Sequence, residues 1–319
     1  MAKKIAILGT GGTIAGVGPA GGAGYTAAQL GVEQLVAQVP ALARAAPGGL
    51  LLEQVAQVDS KDMTTVLWQR LAQRCLALMG DPQVGGIVVT HGTDTLEETA
   101  WVLHELLGQG KPVVLTCAMR PATALAPDGP QNLLDAVTLA AHPLARGVLA
   151  VVAGVVHGAR EVTKAHPLRL DAFASNDAGP VGWVELGAVR WARVPAGDGT
   201  ARHAALAARL PDAPWPRVEI VLSHAGADGA VVDWMVAGGV RGIVVAATGN
   251  GTLHEALAQA LERAQAAGVA VRVATRCPLG RMQAPDGARW RDARGLSPVK
   301  ARISLMLELM EAARAPGAA

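Results

Sequence analysis

The chain has 319 residues, 51% of them hydrophobic, and its 28 Lys and Arg against 26 Asp and Glu leave a net charge of +2. That content is enough for a large buried core, excludes a disordered chain, and as a prior fills about two domains. The basic residues are scattered, so there is no electrostatic footprint for nucleic acid, and no window approaches about 18 uninterrupted apolar residues, which argues against a membrane span.

Read for periodicity, apolar strands alternate with amphipathic helices. Strands are expected at 3–8, 50–58, 86–90, 112–116 and 147–153, with helices at about 28–39, 64–79, 95–107 and 131–141 between them. This βαβα order implies a doubly wound, mostly parallel sheet with helices on both faces, an α/β N-terminal domain over residues 1–192. Thr95-Leu96-Glu97-Glu98 fits a capping box at the start of the third of these helices, which makes Glu98 structural. After a glycine-rich passage near 179–187, residues 193–216 lose periodicity and collect Pro195, Gly197, Gly199, Pro211, Pro214 and Pro216, the best domain linker in the chain. The pattern then restarts, with strands near 218–223, 241–247 and 269–274 and helices near 229–237, 253–266 and 297–314. These form a second, smaller α/β domain over 217–319, whose last helix opens with Ser297 as N-cap and Pro298 at N1.

Lys3 and Lys4 are followed only by Ile5 to Leu8 before glycine intervenes, short of the roughly 7–15 apolar residues of a signal peptide. Cys75, Cys117 and Cys277 form an odd, widely spaced set without CxxC, which suggests neither a disulfide framework nor a zinc site. The expected compartment is the cytoplasm.

Two turns carry the chemistry. Ile5 to Leu8 runs into Gly9-Thr10-Gly11-Gly12-Thr13-Ile14-Ala15-Gly16, and Ile87 to Val89 runs into Thr90-His91-Gly92-Thr93-Asp94-Thr95. In an open α/β sheet such turns lie at the carboxyl ends of the strands, where ligands bind, so two threonine hydroxyls are expected to face one cleft. A dinucleotide fingerprint from Gly9 would need glycine where Ile14 stands, and no P-loop Gly-Lys-Ser/Thr occurs. From local sequence alone Thr10 and Thr13 either satisfy the turn or do chemistry. The single tyrosine, Tyr25, follows the tract Gly18-Pro19-Ala20-Gly21-Gly22-Ala23-Gly24 and reads as the tip of a mobile loop near Thr13. Its phenol either anchors that loop or closes a flap that excludes water.

With these segments in view the chain resembles the bacterial L-asparaginase/glutaminase family of threonine amidohydrolases. The resemblance rests on Thr10 to Gly16, on Val58-Asp59-Ser60-Lys61-Asp62-Met63, and on His91 to Ala100. Ala118-Met119-Arg120-Pro121, Arg160-Glu161-Val162-Thr163-Lys164 and Gly249-Asn250-Gly251 agree in order and spacing, so it spans nearly the whole chain and is closer to the high-affinity branch. It implies a larger N-terminal and a smaller C-terminal domain, assembled as intimate dimers that often pair into tetramers.

Hydrolysis of a carboxamide needs a nucleophile, a base, donors for the developing oxyanion and a proton for ammonia. The resemblance implies that Thr13 is the primary nucleophile with Tyr25 as its partner, and that Thr93 forms a second centre with Lys164, whose amine serves as a base if burial disfavours its charged form. An acyl-enzyme on Thr13 and direct attack by water activated at Thr93 and Lys164 are the two alternatives. The resemblance further implies that Asp94 holds the substrate ammonium, Ser60 its carboxylate, and that main-chain atoms of Gly92, Thr93 and Ala118 line the site. Asn250 would reach across a dimer interface into the site of a second copy. On local sequence alone Lys164 is an ordinary surface lysine, Asp94 fits an N-cap as well as a ligand, and Ser60 closes a turn. The eight histidines show no HExxH, His91 reads as a turn residue, and neither metal nor organic cofactor is required. Lys61 departs from the glutamine or glutamate of many members, and the acidic residue some members supply near Arg281 to Asp286 does not align. The expected reaction is L-asparagine to L-aspartate and ammonia, with weaker action on L-glutamine. A dual glutaminase-asparaginase and a noncatalytic amino-acid-binding paralogue are the alternatives, since one methylene discriminates by only about 1–3 kcal/mol.

Overall fold

The computed structural model describes residues 2–18, 24–195, 202–207, 215–283 and 289–313. Residues 19–23 of the glycine tract, most of the expected linker and residues 284–286 lie outside the described residues. The chain divides into two compact units, Met1–Leu210 and Pro211–Ala319.

In chain order the first unit contains β1 (Lys4–Gly11), α1 (Val32–Ala37), α2 (Leu42–Ala45), β2 (Leu50–Val58), α3 (Thr65–Gly80), β3 (Val84–Thr90) and α4 (Leu96–Leu107). It continues through β4 (Val113–Thr116), α5 (Gly129–Ala141), β5 (Val148–Val152), β6 (Val155–Gly158), β7 (Thr163–Lys164), β8 (Phe173–Ala174), β9 (Gly182–Glu185), β10 (Ala188–Trp191) and α6 (Ala204–Ala207). One sheet has the order β10-β9-β6-β5-β4-β3-β1-β2, and β7 pairs separately with β8. β2, β1, β3, β4 and β5 are parallel, as the alternating pattern expects, while β6, β9 and β10 add an antiparallel edge. The winding reverses between β1 and β3, which creates a crevice at their carboxyl ends.

β1 and β3 are apolar on both faces because both are covered. Ile5, Ile7 and Val88 point into one core with Val32, Leu35, Leu42, Leu133 and Val137 of α1, α2 and α5. Their neighbours Ala6, Leu8, Ile87 and Val89 are equally buried, on the face opposite by the period of a strand.

Three local expectations are corrected. The helix expected over 28–39 covers only Val32–Ala37, because Ala28, Gln29 and Leu30 give their N–H groups to Gly12 O and Ala15 O and so belong to the first turn. Thr95 is the N-cap of α4, but there is no capping box: its hydroxyl donates to Ser60 O at 2.8 Å instead of accepting from a helix N–H. Within the aperiodic stretch 193–216, residues 204–207 form α6, with Leu206 and Ala207 buried and His203 N donating to Glu105 O of α4 at 3.0 Å.

The second unit consists of β11 (Val218–Leu222), α7 (Ala230–Ala237), β12 (Gly242–Ala247), α8 (Glu255–Ala266), β13 (Ala270–Thr275) and α9 (Pro298–Ala312). Its three strands are parallel in the order β11-β12-β13. Val221, Ile243, Val245, Val271 and Val273 share a core with Val232, Leu257 and Leu261 of α7 and α8, while α9 packs along all three strands. Ser297 stands at the N-cap with Pro298 at the helix start, but its side chain makes no cap hydrogen bond.

Candidate active site

The site is built on the turns that follow β1 and β3. After β1, Gly11 and Gly12 take φ values of +102° and +81°, a region glycine enters without steric penalty. A Cβ on Gly12 would stand 2.3 Å from the Cα of Gly92, so the two turns meet backbone to backbone. The two threonines that flank these glycines are not equivalent. Thr10 Oγ1 donates to Thr90 O at 2.8 Å and ties β1 to β3, which leaves Thr13 as the hydroxyl of this turn that faces another side chain.

Thr13 is buried at the start of a single 3₁₀ turn, and its Oγ1 lies 2.7 Å from the Tyr25 hydroxyl. Tyr25 is placed by the antiparallel bridge between Val17 and Thr26, and Thr123 Oγ1 grips Gly18 by both its N–H (2.9 Å) and its carbonyl (2.6 Å). Tyr25 is 37% exposed, a residue at the rim of the crevice rather than in its floor.

After β3, Thr93 is buried, and Lys164 Nζ donates to Thr93 Oγ1 at 2.8 Å and to Asp94 Oδ1 at 2.5 Å. The lysine side chain is only 18% exposed and the aspartate 53%, so Lys164 is no surface lysine, and Asp94 keeps carboxylate surface open to solvent. Asp94 is not the N-cap, a position Thr95 occupies. Buried Ser60 opens the 3₁₀ turn Ser60–Asp62, and its Oγ accepts the Asp94 N–H at 3.2 Å, which leaves its own proton to donate. Lys61 is turned to Asp62 and Asp59, and the hydrogen bond to Asp62 raises its pKa.

His91 is more than a turn residue. Trp68 Nε1 donates to Thr99 Oγ1 at 2.8 Å, Thr99 Oγ1 lies 2.9 Å from His91 Nε2, and His91 Nδ1 lies 2.8 Å from Gly92 O. A carbonyl can only accept, so the proton of the neutral imidazole sits on Nδ1, toward Gly92 O, and Nε2 accepts the Thr99 hydroxyl. Complete burial pushes the pKa of His91 down to about 4, so the ring is neutral. It fixes the Gly92 carbonyl, and across the same trans peptide plane the Thr93 N–H points the other way.

Ala118 is buried on the loop after β4. Asp128 holds that loop by accepting the N–H groups of Met119 and Arg120 at 2.9 Å each, and Asn132 Nδ2 donates to Cys117 O at 2.9 Å. A Cβ on Gly129 would be 2.9 Å from Ile14 and 3.5 Å from Ala118, which sets this loop beside the first turn. Asn250 belongs to the second unit, where its carboxamide pairs with the main chain of Gln283 at 2.7 and 3.2 Å. Among the described residues no group of three His, Cys, Asp or Glu side chains gathers to hold a metal, and no helix is long and apolar enough to cross a membrane.

A hydroxyl paired with a phenol, next to a hydroxyl paired with an amine and a carboxylate, is the equipment of acyl transfer. Residues 4–196 match the asparaginase N-terminal family model, and residues 217–315 match the glutaminase/asparaginase C-terminal domain. The chain belongs to the asparaginase family. It is 38% identical over 316 residues to L-asparaginase 2 of Escherichia coli (strain K12), covering 97% of this chain and 89% of that protein. It is 36% identical over 323 residues to the glutaminase-asparaginase of Pseudomonas fluorescens biotype A, covering 96% and 86%. A crystal structure of a probable cytoplasmic L-asparaginase from Campylobacter jejuni superposes with a TM-score of 0.89 at 35% identity, covering 97% of this chain and 95% of that one.

Within this asparaginase-family site, reasoning from sequence missed three supports: His91, Asp128 and Glu97. Glu97 was read only as part of a helix start, yet its Oε1 accepts the Thr163 hydroxyl and the Lys164 main-chain N–H, both at 3.2 Å. A carboxylate at the second position of a helix that directly follows Thr93 and Asp94 is the one local signal that could have singled it out.

Proposed function

We propose that the chain hydrolyses L-asparagine to L-aspartate and ammonia. The observation that carries this reading is the placement of the Lys164 amine on both the Thr93 hydroxyl and the Asp94 carboxylate, in the crevice whose other turn presents Thr13 with Tyr25.

Asp94 holds the substrate's α-ammonium through its exposed carboxylate, and the Ser60 hydroxyl donates to the α-carboxylate, with main-chain atoms of Gly92 and Ala118 beside them. These contacts aim the side-chain carboxamide at the threonines. Attack of the Thr13 hydroxyl on the carboxamide carbon places negative charge on its oxygen, and the Thr93 N–H stabilises that oxyanion. The threonine proton passes through Tyr25, the departing nitrogen leaves as ammonia after taking up a proton, and water then cleaves the ester to release L-aspartate. Lys164 is the proton acceptor of the second centre, where it serves Thr93 and water.

Glutaminase activity of comparable size is the second reading, supported by the similar identity to relatives named glutaminase-asparaginase. Assembly as a homo-oligomer, dimer or tetramer, with Asn250 reaching the site of a second copy, completes the proposal, together with a cytoplasmic location supported by the name of the Campylobacter relative. Incubating the protein with L-asparagine or L-glutamine tests it. Ammonia release supports the reading, whereas stabilisation by the amino acid without ammonia assigns a binding paralogue.

A further inference from the structure

We propose that Glu97 is a positioning residue for Lys164, an inference that rests on the reading of Lys164 as proton acceptor. Lys164 has a long, flexible stem, and the strand that carries it, β7, is only two residues long and, among the described residues, pairs with the two-residue β8 alone. So small a ladder is a weak support for an amine that must meet two partners at once.

α4 supplies the missing constraint. Its first turn presents Glu97, whose Oε1 accepts both the Thr163 hydroxyl and the Lys164 main-chain N–H, across 66 and 67 residues of sequence. The turn that leads into the same helix carries Thr93 and Asp94, the two partners of the lysine amine. Lys164 is therefore bracketed at both ends by one helix start: its backbone at Glu97, its Nζ at Thr93 and Asp94. The carboxylate is well placed for this, since a negative charge in the first helical turn is favoured by the helix dipole. If the clamp is removed, the amine loses its register on Thr93, while Ser60 and the free face of Asp94 still receive substrate.

The test is steady-state ammonia release by wild type, Glu97→Ala, Glu97→Gln and Thr163→Val, with thermal unfolding of each. Glu97→Ala is expected to lower kcat by about 10²-fold, the scale of a small misplacement, and to leave KM within about threefold. Glu97→Gln keeps an oxygen that accepts both donors and is expected to recover kcat to within about fivefold of wild type. Thr163→Val removes one donor and is expected to fall between the two, which decides the matter even if Glu97→Ala does not fold. Wild-type kcat in Glu97→Ala, or Glu97→Gln as slow as Glu97→Ala, overturns the role of Glu97 while the assignment of the reaction stands. A wild-type protein that releases no ammonia overturns both.

Discussion

Gly12 and Gly92 touch backbone to backbone: a Cβ on Gly12 would stand 2.3 Å from the Gly92 Cα and 2.4 Å from its N. This contact sets the distance between the turn that carries Thr13 and the turn that carries Thr93. Gly12 also has φ +81° and ψ −173°, a combination essentially confined to glycine. Gly12→Ala is therefore expected to destabilise the fold by about 1–3 kcal/mol and to reduce kcat/KM by about 10²-fold or more as the turns separate. Chemical denaturation and steady-state kinetics on the same preparation measure both. A Cβ on Gly92 would instead meet the Ser60 side chain, at 2.4 Å from its Oγ, so Gly92→Ala should raise KM.

Tyr25→Phe isolates the phenol. The side chain is partly exposed and its hydroxyl meets Thr13, so the change should leave stability within about 0.5 kcal/mol. At saturating L-asparagine kcat should fall by about 10²–10⁴-fold, the range of a lost proton-transfer partner. A variant that turns over at the wild-type rate would remove Tyr25 from the chemistry.

Lys164→Met and Asp94→Ala should differ in KM, because only Asp94 is read as a ligand of the substrate, although both break the Lys164–Asp94 pair. The first keeps the length of the buried stem and removes the amine from Thr93, so the loss is expected mainly in kcat, by about 10²–10⁴-fold. The second removes the carboxylate read as the ammonium ligand together with one partner of Lys164 Nζ, so KM is expected to rise by about tenfold or more and kcat to fall with it. Both are read from full saturation curves.

Acid should weaken the fold through His91. Its native pKa of about 4 lies below the ordinary 6.5 because burial disfavours the charged ring. Between those values the unfolded chain binds a proton that the native one refuses. The contribution is thus fully present above pH 6.5 and lost as pH falls toward 4, by about 3 kcal/mol in all. Urea unfolding of the wild type and of His91→Gln from pH 7 to 4.5 should give a shallower pH slope for the variant. His142, also lowered by burial, acts in the same direction.

Much of the framework could be read from sequence because its signals are local. Ile5 to Leu8 and Ile87 to Val89 are short apolar runs that lead into turns of glycine and threonine, and each became a central strand. β9 and β10 were hidden because Gly182 and Gly187 break the two-residue period, and β7 and β8 are too short to have one. The Thr93–Lys164 contact spans 71 residues, which no local pattern encodes, and only the family resemblance pointed to it. Thr95 obeyed a capping rule in sequence and lost it to a tertiary partner, the Ser60 carbonyl. His91 stands in its turn as expected, but its hydrogen bonds were hidden for the same reason, since Thr99 and Trp68, which join it, stand on α4 and α3.

The most direct test of the account is ammonia release from L-asparagine and L-glutamine, side by side, by the wild type, Thr13→Ala and Thr93→Ala. Activity on asparagine in the wild type that collapses in both variants is the predicted result, and the glutamine rate then fixes the substrate range. No ammonia from either substrate in a folded protein, or full activity in either threonine variant, would contradict it.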